Sequence, residues 1–331
     1  MVALSVLDLS PVGAGVKPSE AIRESVELAA FADELGYTRY WFAEHHNMAS
    51  IATSSPEVLI AHVAARTKRI RVGAGGIMLP NHTPLRVVEI FRTLEALHPG
   101  RIDLGLGRAP GTDPVTAAAL RRSDDPEVNE LLAELVAFED ARFPEQHPFS
   151  KIVPMPSDVR AGTIWMLGST LAGASIAAKL GVPYAFAGHF AMRSAKEAIA
   201  LYRRNFVPSD RLKEPYAMCA VTTICGDDDD HAQRLAAPMR VAIVNTRTGK
   251  RAPIVSIEEA LARVFTPEEQ AIVDDFFNGA VIGGPAKVLD RLPALAKELG
   301  ADELMLSTLV PSLDSRRASL ERISALIRSS A

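Results

Sequence analysis

Eight short apolar segments of strand length alternate with helical segments along the chain. Because these segments are continuously apolar rather than alternating, both faces of each strand are expected to be buried, as in a parallel sheet covered by helices. A closed (β/α)8 TIM barrel is the most economical arrangement of eight such units. A doubly wound open sheet is the alternative, but no GxGxxG follows the first strand. The predicted strands cover residues 2–9, 40–43, 70–77, 101–106, 163–167, 183–187, 216–225 and 302–307.

Two longer segments interrupt the alternation, one after the fourth strand and one after the seventh. The first holds a glycine loop, helical material with a helix start at Asp124 or Asp125, and a proline-rich excursion over residues 142–161. The second, residues 248–281, combines an irregular patch with a helix, and we expect it to lie near the mouth of the barrel as a lid. We predict one domain over residues 1–331, with insertions after strands four and seven.

Composition and charge favour small-molecule chemistry. The chain has 331 residues, is 48% apolar and carries a net charge of −4, with its basic residues dispersed, so we expect no nucleic-acid partner. Neither a signal peptide nor a membrane-spanning apolar run is visible, so we expect no membrane association. Cys219 and Cys225 lie in one strand and cannot close a disulfide there, which indicates a reduced, cytoplasmic protein.

Polar or glycine-rich clusters follow most of the predicted strands. In a barrel, the loops at the carboxyl ends of the strands build the active site, so these clusters are the candidate site residues. They are Ser10, Glu44, His45, His46, Gly75, Gly76, Asn81, His82, Arg108, Gly168, Ser169, Thr170 and His189.

The turn Gly168-Ser169-Thr170 leads directly into a predicted helix. Its small residues, its hydroxyl groups and the free N–H groups of a helix start favour an anion. Arg108, after the preceding strand, could add a bidentate contact to the same anion. An ordinary helix cap and a surface arginine are the alternative.

His45 and His46 are adjacent, so in an extended segment only one of them can face a cavity. That one is expected to act as a general base or an orienting group, with a structural histidine as the alternative. A metal would need Glu44, His82 or His189 to converge as well, and we predict no metal site. Gly75 and Gly76 within a strand indicate either a flat ring lying against the backbone or close packing of the barrel wall.

Several long motifs resemble the bacterial luciferase-like flavin monooxygenases. They span nearly the whole chain in the order found in that family, while residues 113–160 and 248–281 match least. The motifs are YWFAEHHNM, RVGAGGIMLPNHTPL, HPGRIDLGLGRAPGTD, LGSTLAGASIAAKLGVPYAFAGHF and VIGGPAKVLDRL with GADELML.

The resemblance implies a TIM-type barrel that binds FMN at the carboxyl ends of its strands. Gly75 and Gly76 match a pair joined by a non-prolyl cis peptide beneath the flavin, and Gly107 stands where luciferase has a flavin-edge cysteine. Glu44 and His45 match the catalytic glutamate and histidine. Arg108 and the phosphate turn match cofactor contacts of the family. The matching positions are Arg108, Gly168, Ser169, Thr170, Gly173 and Ala187.

The mechanism implied by the resemblance is a monooxygenation. Reduced FMN from a separate reductase would react with O2 to give a flavin hydroperoxide, which transfers one oxygen atom to a small organic substrate while His45 manages the proton. A homodimer is implied as well. Three alternatives stay open: hydride transfer with a deazaflavin, a non-catalytic flavin-binding protein, and a barrel enzyme acting on a phosphorylated substrate.

Overall fold

The computed structural model describes residues 2–120 and 127–328. Its strands are β1 (Ala3–Asp8), β2 (Arg39–Phe42), β3 (Arg71–Met78), β4 (Ile102–Gly107), β5 (Thr163–Gly168), β6 (Tyr184–Phe186), β7 (Ala217–Cys225), β8 (Val281–Gly283) and β9 (Glu303–Ser307). Its helices are α1 (Pro18–Leu35), α2 (Pro56–Arg66), α3 (Pro84–Leu97), α4 (Pro114–Leu120), α5 (Val128–Asp140), α6 (Leu171–Leu180), α7 (Gly188–Ala191), α8 (Ala195–Arg204), α9 (Asp229–Arg247), α10 (Ile257–Ala262), α11 (Pro267–Phe276), α12 (Pro285–Leu299), α13 (Leu313–Ile323) and α14 (Ala325–Arg328).

The strands close into a parallel barrel. They pair in the order β6-β5-β4-β3-β2-β1-β9-β7, and β6 also pairs with β7, which closes the ring. The predicted (β/α)8 barrel is therefore confirmed, and the open-sheet alternative is wrong because no strand of the ring is left at an edge. Each predicted strand ends within one residue of its observed limits. The short strand β8 was not predicted and pairs only with the end of β7, where Thr223 lies opposite Val281.

Local signals explain most of the helix ends. Pro56 and Pro84 open α2 and α3, at the position where a missing N–H is harmless. Gly36 and Gly181 end α1 and α6 in the left-handed conformation, and their N–H groups donate to carbonyls of the last turn. The continuous helix predicted over residues 191–206 is instead divided into α7, a 3-10 turn and α8, because Ala191 leaves the helical region at φ −139° and ψ 34°.

Long segments follow β4 and β7 in the chain. The first contains α4 and α5, and the helix start expected at Asp124 or Asp125 falls outside the described residues. The second, residues 248–281, contains α10 and α11 and ends at the first residue of β8. It is tied to the loop after β1 by two main-chain hydrogen bonds. Ala14 N donates to Ile254 O at 2.7 Å, and Ile254 N donates to Val12 O at 2.9 Å. The lid and the single domain remain predictions.

Apolar side chains fill two layers. The larger lies between the strands and the surrounding helices, and a smaller one occupies the barrel interior with Leu7, Trp41, Trp165, Met218 and Met305. Cys219 and Cys225 are both free thiols. Among the helices of the described chain, none is long and apolar enough to cross a membrane.

Candidate active site

A cavity of about 480 Å³ opens at the carboxyl ends of the barrel strands. Apolar side chains of the barrel interior, Trp41, Met218 and Met305 among them, form part of its wall. Seven of the candidate residues do not line the cavity directly, namely Ser10, Glu44, His46, Gly76, Asn81, His82 and Gly173. The candidates that do are His45, Gly75, Arg108, Gly168, Ser169, Thr170, Ala187 and His189.

Arg108 and the first turn of α6 meet at one side of this cavity. A Cβ atom added at Gly173 would lie 3.6 Å from Arg108 Nη2, so the guanidinium lies against the helix start. Arg108 Nε is buried, and no group in the described part of the chain accepts its hydrogen bond. Thr170 caps α6 with extended backbone but without a side-chain hydrogen bond. A guanidinium with a buried, unpartnered Nε beside the N–H groups of a helix start suits a phosphate.

The turn before α6 is closed by two glycines and a tyrosine. A Cβ atom at Gly168 would lie only 3.2 Å from the Cα of Gly173, so side chains at these positions would force the turn apart. Tyr184 donates from its hydroxyl to Thr170 O at 3.2 Å. Burial raises the pKa of Tyr184, an effect that the nearby Arg108 opposes. The sequence did not indicate Tyr184, because one aromatic residue in a buried strand resembles ordinary core.

His45 lies on the cavity wall, and a main-chain carbonyl determines which of its ring nitrogens carries the proton. His45 Nδ1 is 3.2 Å from Gly111 O. A carbonyl only accepts, so Nδ1 carries the proton of the neutral ring and Nε2 is left as an acceptor. Burial lowers the pKa of His45, and Gly111 and Glu44 only partly oppose this. The ring is therefore able to take a proton at neutral pH.

Glu44 lies behind this wall as a fully buried carboxylate. It accepts hydrogen bonds from Met78 N at 2.8 Å and Asn81 Nδ2 at 3.0 Å, and His46 Nε2 and His82 Nε2 each lie 2.9 Å from its oxygens. Burial alone would raise the pKa of Glu44, but these side-chain contacts, that of His82 first, lower it below its ordinary value. Glu44 thus holds the loop after β2 against the loop after β3.

The glycines of β3 are explained by packing on both sides of the wall. The peptide bond between Gly75 and Gly76 is cis, as the resemblance implied. A Cβ atom at Gly75 would lie 2.8 Å from Leu7 Cδ1, and one at Gly76 would lie 2.6 Å from Gly105 O. A Cβ atom at Gly107 would meet Met78 Sδ at 2.6 Å. The thioether of Met78 therefore occupies the space beside Gly107.

No group of three or more His, Cys, Asp or Glu residues is placed to hold a metal ion within residues 2–120 and 127–328. That no metal takes part stays a prediction.

Comparison with known proteins decides the family. The family model of luciferase-like monooxygenases matches residues 2–303. The chain belongs to this family. It is therefore a flavin-dependent oxidoreductase of the monooxygenase type. The recognition from sequence motifs is confirmed.

Individual relatives agree over most of their length. The chain is 42% identical to a luciferase-like monooxygenase of Escherichia coli over 309 residues, which are 92% of this chain and 91% of that protein. It is 32% identical to N-acetyl-S-alkylcysteine monooxygenase of Bacillus subtilis, with 98% of each chain covered. The crystal structure of apo-MsnO8 superposes with a TM-score of 0.90 at 35% identity, covering 99% of this chain and 98% of the other.

Proposed function

We propose that this protein is an FMN-dependent monooxygenase that accepts reduced FMN from a separate reductase and uses O2 to oxygenate a small organic substrate. The observation that carries the proposal is the half-buried Arg108 guanidinium, which faces the start of α6 with its buried Nε unpartnered in the described chain. His45 lines the same cavity. An anion site and a neutral base therefore share one enclosure at the barrel mouth.

The residues present fit FMN. Its phosphate would be held by Arg108 and the turn of Ser169, Thr170 and Gly173, and its ring would lie along the wall that contains Gly75 and Ala187. Reduced FMN, when bound, supplies the electrons with which O2 is split, so that one oxygen atom enters the substrate and the other leaves as water. A deazaflavin has a longer acidic tail, and residues 169–175 contain no lysine or arginine to meet it.

The protein groups would bind, orient and exclude water. His45 Nε2 would hold the proton that moves during the reaction, while its Nδ1 bond to Gly111 O keeps the ring in one orientation. Glu44 would position the loop that carries His45 rather than touch the ligand. The apolar wall of Trp41, Met218 and Met305 would keep water away from the reacting atoms. Given one relative's name, N-acetyl-S-alkylcysteines are a first substrate class to test.

The test is a titration with oxidised FMN, reduced FMN, riboflavin and deazaflavin, using the wild type and Arg108→Ala. A charge-assisted hydrogen bond contributes about 1.5–3 kcal/mol, so Arg108→Ala should weaken FMN binding roughly 10- to 100-fold. Riboflavin has no phosphate, so its affinity should change by less than about threefold. Arg86→Ala, on an exposed part of α3, is the matched control and should change neither affinity.

Three results would contradict the proposal. Equal losses of FMN and riboflavin affinity would remove the phosphate role of Arg108. Tighter binding of deazaflavin than of reduced FMN would favour hydride transfer instead. If reduced FMN bound and was reoxidised by O2 without oxygenating any thioether, aldehyde or ketone offered, a non-catalytic flavin-binding protein would be the better description. The homodimer, the reductase and the cytoplasmic location remain predictions.

A further inference from the structure

His189 lines the cavity but has no part in the function proposed above. It stands in the first turn of α7, directly after β6. A Cβ atom at Gly188 would lie 2.6 Å from Cys219 Sγ and 2.7 Å from Ala220 O, so glycine is needed for α7 to begin this close to β7. Thr222 Oγ1 donates to His189 O at 3.4 Å. These contacts hold His189 at the cavity wall.

The imidazole of His189 lacks a hydrogen bond that its burial requires. Its Nδ1 is buried and has no partner among residues 2–120 and 127–328, and its nearest ring neighbour is Phe190, edge-on at 4.6 Å. Buried polar atoms are nearly always paired, and packing alone would be better served by an apolar side chain. Arg108 Nε is likewise buried and unpartnered in the described chain, and it lines the same cavity. Both atoms are placed to gain partners from one ligand.

The ring is uncharged at neutral pH. Burial first, and then the closeness of His45, lowers the pKa of His189 to about 4. The titratable or charged groups around it in the described chain include His45 and Arg108 on the cavity wall and the Cys219 thiol on β7. Burial raises the pKa of that thiol to about 12, so it brings no charge. A neutral imidazole carries one N–H donor and one lone-pair acceptor, so it can form hydrogen bonds with the polar edge of a heteroaromatic ligand.

We propose that His189 donates a hydrogen bond to the isoalloxazine ring of bound FMN from the wall formed by β6 and α7. His189 is then a second proton-holding residue of the cavity beside His45. The inference rests on the proposed function, because it requires FMN to bind here.

The experiment combines nuclear magnetic resonance with affinity measurements. In protein labelled with 15N-histidine, the His189 ring signal is identified by its loss in His189→Phe. It should shift when oxidised FMN is added, and its N–H should exchange more slowly with water. His189→Phe should weaken FMN and riboflavin about tenfold alike, since the contact is to the ring and not to the phosphate. His189→Gln, which keeps an N–H donor, should lose less than about threefold.

His62→Gln, on the exposed side of α2, is the control for loss of an imidazole and should change neither affinity. An unshifted His189 signal at saturating FMN, with wild-type affinity in His189→Phe, would overturn the inference and leave the proposed function standing. Should His189→Phe fail to fold, the His189 signal is assigned by its loss in His189→Gln instead, and an unshifted wild-type signal at saturating FMN overturns the inference. Wild-type protein that binds neither FMN nor riboflavin would refute the proposed function and, with it, the role of His189.

Discussion

At the scale of single residues, two neutral imidazoles share one cavity with one permanent cation. Burial is the main cause that lowers the pKa of both His45 and His189. Protonating either ring would place a second positive charge near Arg108 in a poorly hydrated space. This arrangement supports the proposal that an anion is bound at Arg108 while protons are exchanged elsewhere in the cavity, as a phosphorylated cofactor with a polar ring would require.

This arrangement makes the free energy of unfolding depend on pH. An unfolded imidazole has an ordinary pKa of 6.5, whereas that of His189 in the folded protein is about 4. Between these values the unfolded state binds more protons, so stability falls as the pH falls. The contribution of one such residue is at most about 1.4 kcal/mol per pH unit. Urea unfolding of wild type and His189→Phe from pH 4.5 to 7.5 should show a shallower slope in the variant.

His62→Gln is again the control for loss of a histidine as such. If His189→Phe retained the full wild-type slope, His189 would not be buried in its neutral form. The pH dependence of stability would then have to come from another titratable group. The measurement uses no flavin, so it is independent of the proposed function.

At the scale of elements, the contact between β3 and β4 sets the shape of the cavity wall. The register of the pair shifts between Ala74 and Ile77, where the cis peptide lies. A Cβ atom at Gly105 would lie 2.1 Å from Ala74 O, closer than any real contact. The two strands approach so closely only because both carry glycine here.

Gly105→Ala should therefore destabilise the barrel by about 3 kcal/mol, the upper part of the range for overpacking. Gly15→Ala is the matched control, because Gly15 has φ +79° but nothing within 4 Å of an added Cβ. It should cost only the left-handed backbone penalty of about 1 kcal/mol. Urea unfolding monitored by tryptophan fluorescence compares the two. A loss at Gly105 no larger than that at Gly15 would show that the strands can separate cheaply.

Elements with strong local signals were predictable from the sequence. The eight barrel strands are continuous apolar runs, several of them bounded by glycine or proline, and these signals act within a few residues. β8 has three residues and pairs only through the end of β7, so no local pattern marks it. The partners of Glu44 lie as far as 37 and 38 residues along the chain, at Asn81 and His82. Such contacts exist only once β2 and β3 have paired. Residue types therefore indicated which residues form the site, but the hydrogen bonds between them could be known only from the folded structure.

At the scale of the whole molecule, the end of the barrel opposite the cavity is crossed by a buried ionic network. Arg39 at the start of β2 donates from Nη1 to Asp103 of β4 at 3.0 Å and from Nε to Glu303 of β9 at 2.8 Å. Its guanidinium also lies 4.7 Å from the ring centre of Trp165 on β5. One side chain therefore links four strands across the barrel interior.

Removing that side chain should destabilise the barrel without touching the cavity. Arg39→Ala leaves the Glu303 carboxylate buried without its cation, whereas Asp103 keeps an ion pair with Arg71 at 2.6 Å. Breaking a buried pair in this way costs about 3–5 kcal/mol. Arg23→Ala, on an exposed part of α1, is the control and should stay within about 0.5 kcal/mol of wild type. The free energy of unfolding in urea is the measurement.

A compensating variant separates lost attraction from lost packing. If the penalty of Arg39→Ala comes from the unpaired Glu303 carboxylate, combining Glu303→Gln with Arg39→Met should recover part of it, because a neutral amide needs no cation. A double variant no more stable than Arg39→Ala would assign the loss to packing against Trp165 instead. Active sites of these barrels lie at the opposite face, so FMN affinity should be unchanged in every variant that folds. A parallel loss of FMN affinity would mean that the network also holds the cavity open.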